Sequence, residues 1–389
     1  MQLGFGVTFI SARLQARVQD TKLDGIGIYT KAIWDALQQE QDVELYPLTF
    51  TDKKSLQLTS KFLHSEISAT PLPYPLHSGL SAILKRPIGE LKKYEQQIDI
   101  FFAPDHHIPI LHNTPVVATV MDIIPLIHPE WASSRLRSLK NYAFKRAVES
   151  ATHIITVSQH SKSDILQNFA IEAENISVVP LGVEERFFER VSVEEREQVQ
   201  KKYQIEREFF LFVGTLQPRK NILRMIDAYM QLPQSIKDET MLVLVGQDGW
   251  GSDALQERID RLITSQSGLW LSYLPQEEIY SLMQSAKAIL YPSLYEGFGL
   301  PILEGFASQT PLITSNITSM PEVAGDAALL VDPYTIDEIT EAMIALFRDE
   351  QLCKELVNRG RLRVEQFTWQ NSIEKHREVF QLVDAYSSK

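Results

Sequence analysis

Two glutamates eight positions apart frame the segment of the sequence that is richest in possible chemistry, SLYEGFGLPILE at residues 293–304. Carboxylates accept hydrogen bonds from hydroxyl groups, so Glu296 and Glu304 suit a ligand that carries many hydroxyls. Proline is favoured at the first helical position, which predicts a helix start at Pro301 with Glu304 about one turn inside it. The preceding apolar run predicts a buried strand, and a strand, glycine loop and helix in this order offer backbone amides to an anion. The alternative is a tight glycine turn with two surface glutamates.

Two adjacent cations follow another predicted strand, EFFLFVGTL, and precede another predicted helix. A helix dipole is positive at its N-terminus, so Arg219 and Lys220 occupy an unfavourable position unless an anion is bound there. A diphosphate would resolve the conflict, with Arg219 binding as a fork and Lys220 as a point charge. The alternative is that both side chains extend into solvent.

A third glycine loop, with Gly25 and Gly27 in the segment DGIGIY, opens the first long helix. It lacks the third glycine of a dinucleotide-binding fingerprint, as does the pair Gly4 and Gly6, so the sequence argues against NAD or FAD. We expect no cofactor. Taken alone, the loop is more simply explained as a close turn from strand to helix.

The elements that must position these loops alternate between strand and helix, which is typical of parallel sheets with helices on both faces. The pattern restarts at EFFLFVGTL after a charged segment without strand signal. We therefore predict an N-terminal Rossmann-like domain over residues 1–185, a linker over 186–206, a second Rossmann-like domain over 207–365 and a C-terminal crossover helix over 366–389. Residues 51–97 are less regular, and the stretch ATPLPYPLHSGLSAILKRP within them, which has four prolines, is expected to form a long surface excursion. Ligands of such sheets bind at the carboxyl ends of strands, here expected in a cleft between the domains.

Composition excludes several classes of protein. The 389-residue chain has a formal charge of −12, which argues against nucleic acid as the main partner. Its single cysteine, Cys353, has no partner thiol and no metal-ligand spacing, which favours a reducing compartment. No apolar run approaches the roughly 20 residues needed to cross a bilayer, and the N-terminus lacks a basic start and a cleavage site. The sequence therefore predicts a cytoplasmic protein, with any membrane contact peripheral at the inner face.

The combination of these segments resembles glycosyltransferase family 4, whose members are retaining sugar transferases of the GT-B fold. The resemblance is strongest over residues 211–333, with PRKN after VGTL, then YPSLYEGFGLPILEGFA, then TPLITSNITSMPEVAGDAALLVDP. In the first half, DGIGIY, ITVSQHSKSDI and VVPLGVEERFF match the family pattern. The resemblance implies two Rossmann-like domains, the second binding a nucleotide-sugar donor and the first binding the acceptor.

Position by position, the resemblance also implies a donor site. Arg219 and Lys220 would bind the donor diphosphate, Glu304 would bind the ribose, and the backbone around Tyr273 and Leu274 would frame the base. The sugar and its neighbouring phosphate would be bound by Glu296, Gly297, Phe298, Gly299 and Leu300. The first glycine loop would add Gly25 and Gly27 to the donor site. No acidic metal-binding motif is present, so we expect a site that works without a metal.

The sequence departs from the family pattern at one position. Many members carry a histidine after the strand that here reads ATVMDIIPL, and Met121 occupies that position, followed by Asp122. A thioether neither ionises nor donates a hydrogen bond, so the polar task passes to Asp122, to His106 or His107 in APDHHIP, or to no residue. We expect Asp122 to matter most, although a turn-forming aspartate and solvent-facing histidines are alternatives. The predicted catalytic residues are Asp122, Glu296, Arg219, Lys220 and His107.

Two basic segments contrast with the acidic composition. Residues 133–147, SSRLRSLKNYAFKRA, contain no acid, and residues 85–93 add further lysines and an arginine. They predict contact with an anionic membrane or a lipid-diphosphate acceptor, unless they form a solvated face.

The sequence as a whole predicts a retaining, metal-independent hexosyltransferase that transfers a hexose from a nucleotide sugar to a glycan or lipid-linked saccharide in polysaccharide biosynthesis. The family resemblance slightly favours UDP-glucose as the donor, followed by GDP-mannose. Two alternatives stay open: a nucleotide-sugar epimerase on the same fold, and a catalytically silent protein that binds sugar nucleotides.

Overall fold

The computed structural model describes residues 1–16, 25–50, 53–70, 73–84, 88, 91–131, 137–249 and 252–387. The chain divides into two compact units, one formed by Met1–Leu181 with Trp369–Lys389 and the other by Gly182–Thr368. Asp24 of the first glycine loop, and Lys85, Arg86 and Arg135 of the predicted basic segments, lie outside the described residues. None of the helices within the described ranges is long and apolar enough to cross a membrane.

The first unit contains a seven-stranded parallel sheet with the strand order β3-β2-β1-β4-β5-β6-β7. Its strands are β1 (Gln2–Gly6), β2 (Glu44–Thr49), β3 (Ser68–Ala69), β4 (Ile100–Ala103), β5 (Val116–Thr119), β6 (His153–Thr156) and β7 (Ile176–Val178). Its first eight helices are α1 (Thr8–Ala16), α2 (Gly25–Gln38), α3 (Lys53–Leu63), α4 (Tyr74–Leu84), α5 (Leu91–Tyr94), α6 (Ile124–Ile127), α7 (Arg137–Ser150) and α8 (Gln159–Asn168). The strands β4, β5 and β6 are buried along their whole length, which explains their nearly continuous apolar sequences.

The second unit contains a six-stranded parallel sheet with the strand order β10-β9-β8-β11-β12-β13. Its strands are β8 (Glu208–Val213), β9 (Thr240–Val245), β10 (Gly268–Leu271), β11 (Ala288–Tyr291), β12 (Leu312–Ser315) and β13 (Leu329–Val331). Its helices are α9 (Val193–Lys202), α10 (Ile222–Met230), α11 (Gln234–Glu239), α12 (Asp253–Thr264), α13 (Gln276–Ser285), α14 (Leu300–Ala307), α15 (Met320–Ala324), α16 (Ile336–Arg348) and α17 (Glu350–Val364). Both units are therefore Rossmann-like, as predicted.

The last helix, α18 (Trp369–Ser387), belongs to the first unit. His376 lies at its centre, with Nε2 2.7 Å from the hydroxyl of Tyr29 on α2. Burial lowers the pKa of His376 to about 4, so the ring is neutral at pH 7. Phe380 adds an edge-on contact with Phe102 of β4, with ring centroids 5.1 Å apart. The C-terminal helix thus packs back on the first unit, as the sequence predicted.

Two segments are more regular than the sequence indicated. Residues 51–97, predicted to be less regular, contain α3 and α4, and α4 lies in the proline-rich stretch predicted as a surface excursion. Pro75 is the second residue of α4, where proline removes no intrahelical hydrogen bond. The segment predicted as a linker, 186–206, contains α9 and falls within the second unit. Ser192 and Glu195 form a capping box at the start of α9, so this helix is fixed by polar end contacts and not by a recognisable apolar stripe.

Candidate active site

The sheet of the second unit brings two loops together. Strands β8 and β11 are parallel neighbours, so they end at the same edge of the sheet. The loop after β8 carries Arg219 and Lys220 in a short 3-10 turn, and the loop after β11 carries Glu296. The amide of Leu294 donates to the carbonyl of Arg219 at 2.7 Å, which joins the two loops directly.

Glu296 bridges the two cations of these loops. Its Oε2 lies 2.6 Å from Arg219 Nη1, and its Oε1 lies 2.6 Å from Lys220 Nζ. Lys220 and Glu296 are only 8% and 7% exposed, so both charges are shielded from bulk water. Tyr291, the last residue of β11, donates its hydroxyl to Oε1 at 2.8 Å and accepts a hydrogen bond from Lys220 Nζ. We call Arg219, Lys220, Tyr291 and Glu296 the charged cluster.

The electrostatic surroundings keep Glu296 and Lys220 of the charged cluster ionised near neutral pH. Burial raises the pKa of Glu296, but the charges and hydrogen bonds of Lys220 and Arg219 outweigh it and lower that pKa to about 2. Burial lowers the pKa of Lys220 to about 8, because attraction to Glu296 offsets only part of the desolvation and of the repulsion by Arg219. The two residues respond differently because Glu296 faces two cations, whereas Lys220 faces one bonded anion. A further anion at this place would stabilise the charged form of Lys220.

Asn221 and Ser319 fix the backbone around the charged cluster. Asn221 precedes α10 in a left-handed conformation with φ of +63°, and its Nδ2 donates to two backbone carbonyls at 3.0 and 2.7 Å. Ser319 Oγ lies 2.9 Å from the carbonyl oxygen of Glu296 and 2.7 Å from that of Phe298. No role was predicted from the sequence for these residues or for the Tyr291 hydroxyl. The only signal was their position at strand ends and helix starts.

The glycine loop brings a helix start to the same edge of the sheet. Helix α14 begins at Leu300, one residue before the predicted start, and Pro301 is its second residue. Gly299 has a φ of +113°, which residues with a Cβ rarely adopt. Phe298 is 6% exposed and packs edge-on against Phe367, so it anchors the loop to the core. Pro301 has no N–H, and the amide of Ile302 donates to the carbonyl of Gly299 at 2.9 Å, so this helix start offers an anion mainly the positive end of its dipole.

The other predicted donor residues of the second unit are Glu304, which lies on α14, and Tyr273 and Leu274, which follow β10. Glu304 is half-buried about one turn into α14, and its charge raises the pKa of Lys220, so it acts on the same cation as Glu296. Tyr273 and Leu274 follow β10, which is separated from β11 by β9 and β8. Tyr273 is 45% exposed, whereas Leu274 is buried.

The candidates of the first unit lie mainly at the carboxyl edge of its sheet. His107 follows β4 and Asp122 follows β5, and these strands are neighbours. Asp122 Oδ1 accepts a hydrogen bond from the amide of Ile124 at 3.1 Å, which is the local turn considered as the alternative role of this aspartate. Met121 is half-buried, and its carbonyl accepts a hydrogen bond from Ser161 Oγ at 2.9 Å.

The first glycine loop and a histidine pair complete the predicted residues. Gly25 and Gly27 form the first turn of α2, where Gly25 is exposed and Gly27 is buried. Asp105, His106 and His107 offer ligand atoms within 4.8 Å of one another, and in the described part of the chain this is the group that could hold a metal ion. Metal independence of the reaction therefore stays a prediction to be tested.

Comparison with known proteins identifies the family. Residues 23–187 match the family described as Glycosyltransferase Family 4, and residues 194–363 match the one described as Glycosyl transferases group 1. The chain is 33% identical over 290 residues to O-antigen chain mannosyltransferase B of Escherichia coli, an alignment that covers 74% of each protein. The chain belongs to glycosyltransferase family 4.

Further comparisons agree with this assignment to family 4. MMP alpha-(1->4)-mannosyltransferase of Mycolicibacterium hassiacum is 31% identical over 233 residues, which are 58% of this chain and 53% of that protein. Among solved structures, Anabaena Alr3699/HepE in complex with UDP-glucose matches with a TM-score of 0.73, covering 98% of this chain and 99% of that one at 18% identity. At 18% identity this likeness shows only that the two proteins share the GT-B fold. The family assignment identifies the protein as a glycosyltransferase.

Proposed function

We propose that this family-4 glycosyltransferase transfers a hexose from a nucleotide sugar to a glycan or lipid-linked saccharide in polysaccharide biosynthesis, with retention of the anomeric configuration. The observation that supports the proposal is the buried charged cluster at the ends of β8 and β11. Two cations and one carboxylate leave a net positive charge beside the start of α14. Such a site suits a leaving group on which negative charge grows, and a nucleoside diphosphate is that kind of leaving group.

In the proposed reaction, the bond between sugar C1 and the diphosphate oxygen breaks while the acceptor oxygen bonds to C1 on the same face. Arg219 and Lys220 stabilise the charge on the departing diphosphate, and the positive end of the α14 dipole assists them. The leaving phosphate takes the proton of the acceptor hydroxyl, so neither a protein nucleophile nor a metal ion is required. Glu296 holds both cations in place and accepts hydrogen bonds from sugar hydroxyls.

The remaining predicted residues are proposed to bind the other parts of the donor. Glu304 binds the ribose, the backbone around Tyr273 and Leu274 frames the base, and Asp122 contacts the sugar. Gly297, Phe298, Gly299 and Leu300 are proposed to surround the sugar phosphate. Gly25 and Gly27 of the first glycine loop complete the proposed donor site.

We propose mannose as the donor sugar, ahead of the glucose that the sequence analysis slightly favoured. The two relatives above 30% identity described here are both named mannosyltransferases. The structure that contains UDP-glucose is only 18% identical and informs the fold alone. GDP-mannose is therefore the first donor to test, and UDP-glucose is the second.

The reaction is tested by incubating the full chain with each nucleotide sugar, with and without saccharide acceptors, and by following donor and product by NMR. We expect hydrolysis or transfer of one donor, an α product from an α-linked donor, and no loss of activity with a chelator. Lys220→Ala should lower turnover by about 100- to 1,000-fold, the effect typical of removing one group that stabilises transition-state charge. Lys201→Ala, at an exposed lysine of α9, is the control. An isomerised donor would indicate the epimerase instead, and binding without turnover would indicate a silent protein.

We further propose that the first unit contacts an anionic membrane through a surface formed by α4 and α7, the α4–α7 surface. Leu76, Leu80 and Leu84 recur every fourth residue along α4 and are 59%, 43% and 48% exposed, so they form one stripe. Helix α7 packs against α4 and exposes Leu139 and Tyr142. Exposed apolar side chains on two helices that pack together favour an interaction site.

The charges of α7 match an anionic partner. Lys140 and Lys145 are exposed, and Glu149 is the single acid in the helix. Apolar side chains flanked by cations are typical of helices that lie in the membrane interface, and they support the expected peripheral location at the inner, cytoplasmic face.

Vesicle sedimentation tests the α4–α7 surface. We expect binding to vesicles with anionic lipid, weaker binding to neutral vesicles, and a loss of binding in Leu80→Ser and Lys140→Glu. Lys201→Glu in the second unit is the matched charge control. Equal binding of wild type and all variants would contradict this surface.

A further inference from the structure

The loop after β4 contains an aspartate and a histidine in direct contact. Asp105 is 4% exposed, and its Oδ1 accepts hydrogen bonds from the amide of His107 at 2.6 Å and from His107 Nδ1 at 2.7 Å. Its Oδ2 is also buried and has no hydrogen-bond partner among the described residues. Burial raises the pKa of Asp105, but the neighbouring His107 and His106 lower it to about 2, so the group is an ionised carboxylate.

This contact determines which nitrogen of His107 carries the proton. An ionised carboxylate only accepts hydrogen bonds, so the proton of a neutral His107 ring lies on Nδ1 and Nε2 becomes an acceptor. Tyr74 packs edge-on against the ring with centroids 4.7 Å apart, and the His106 ring lies 4.1 Å away. The side chain of His107 is 17% exposed, and no described residue bonds its Nε2. The ring is therefore held in one orientation with one polar atom available.

We propose that His107 Nε2 accepts a hydrogen bond from a hydroxyl of the acceptor saccharide, and that Asp105 is the positioning residue that holds His107 for this contact. The inference rests on the proposed function, because it takes the acceptor to be a saccharide bound by the first unit. An oriented imidazole acceptor suits a neutral hydroxyl. It does not suit a phosphate, because the ionised Asp105 carboxylate behind the ring repels an anion.

Transfer kinetics with varied acceptor and saturating donor test the contact. His107→Ala should raise the acceptor KM by about 10-fold or more, the effect of losing one hydrogen bond within a bound complex. His107→Gln should recover part of the loss, because its amide oxygen also accepts. Asp105→Asn keeps an acceptor for both hydrogen bonds but loses the charge, so we expect a smaller rise in acceptor KM. His112→Ala, at an exposed histidine of the same unit, is the control and should leave the acceptor KM unchanged.

Donor hydrolysis without acceptor separates this contact from a contact with the donor. Hydrolysis should fall much less than transfer in His107→Ala; an equal loss of hydrolysis and transfer would place His107 at the donor and overturn the inference. An unchanged acceptor KM in His107→Ala would overturn it as well. Zinc bound to the purified protein and lost in His107→Ala would show a metal site at Asp105, His106 and His107 in place of the proposed contact.

The protonation of the His107 ring can be measured without enzyme activity, so it tests this inference separately from the proposed function. ¹⁵N NMR of histidine-labelled full-length protein should show His107 with its proton on Nδ1, and Asp105→Asn should increase the form protonated on Nε2. A wild-type His107 protonated on Nε2 would overturn the positioning by Asp105. Failure of every nucleotide sugar as a substrate would overturn the proposed function while leaving this tautomer result intact.

Discussion

Replacing Glu296 by glutamine should weaken the second unit by about 3 kcal/mol at pH 7. Glutamine keeps the shape of the side chain and an oxygen for the Tyr291 hydroxyl, but it removes the charge that bridges Arg219 and Lys220. The pKa of Glu296 is about 2 in place of the ordinary 4.5. A tenfold change in proton affinity corresponds to about 1.4 kcal/mol, so the fold stabilises the ionised form by about 3 kcal/mol. Breaking one partner of a buried ion pair has effects of the same order, about 3–5 kcal/mol.

The pH dependence of the difference in unfolding free energy provides a second test of this prediction. The folded-state pKa of Glu296 lies below its unfolded value, so its stabilisation is complete above pH 4.5 and is lost as the pH falls towards 2. The difference in unfolding free energy between wild type and Glu296→Gln should therefore shrink to about half or less at pH 3. In the variant, Lys220 loses its bonded anion, so its pKa should fall below 8.

Segment-resolved hydrogen exchange in the full-length protein is the assay, because two units need not unfold together. Protection of peptides from β8 and β11 reports the opening of the second unit, and those from β4 and β5 report the first. Glu239→Gln, at an exposed glutamate of α11, is the matched control. The reasoning is refuted if Glu296→Gln is within about 0.5 kcal/mol of this control at pH 7, the range of ordinary surface substitutions. An equal difference at pH 3 and pH 7 would also contradict it.

Three further predictions concern the same site. Binding of a nucleoside diphosphate at pH 8 should take up protons, because an anion raises the pKa of Lys220 from about 8. Calorimetry in buffers of different ionisation enthalpy measures this proton uptake, and Lys220→Met should abolish the uptake. Glu304→Ala should weaken binding of the free nucleoside diphosphate whereas Glu296→Gln should not, and titration calorimetry of both variants would show equal losses if the division of roles is wrong. Asn221→Ala should lower the free energy of unfolding by about 1–3 kcal/mol, because two buried carbonyls lose their hydrogen-bond donor. Urea unfolding measures this loss. Asn221→Gly loses the same donor but tolerates the left-handed backbone, so the difference between the two variants gives the contribution of the backbone conformation.

The alternation of strand-like and helix-like segments was enough to predict two Rossmann-like units, because strands buried on both faces have nearly continuous apolar sequences. Two helices that lack an ordinary apolar stripe, α9 and α4, were not predicted. Helix α9 is rich in charge and buries no residue fully, so its sequence looks like a linker. Helix α4 begins among prolines, and its pattern is inverted, because its leucines are exposed whereas His77 and Ser81 are buried.

The sequence predicted an anion site at Arg219 and Lys220 but not the anion that the fold itself supplies. Glu296 follows β11, and Arg219 follows β8, with β9 and β10 between these strands along the chain. The two strands become neighbours only through the crossover that sets the sheet order. Local sequence therefore showed the excess of positive charge, whereas its partial neutralisation depends on topology. The roles of Asn221 and Ser319 are of the same kind, because each bonds a backbone that is distant in sequence.

This internal anion changes how a diphosphate would bind to the charged cluster. An unpaired charge on the buried Lys220 would be costly, so Glu296 favours the charged form of Lys220. It also orients both Lys220 and Arg219 before any ligand arrives. An entering diphosphate then shares these cations with Glu296, which weakens its binding relative to a site with two unpaired cations. The orientation of the donors is already fixed, so little reorganisation is needed as charge grows on the leaving group. We infer that the cluster favours the charge of the transition state over tight retention of the product, which is the balance that a transferase requires if it is to release its nucleoside diphosphate.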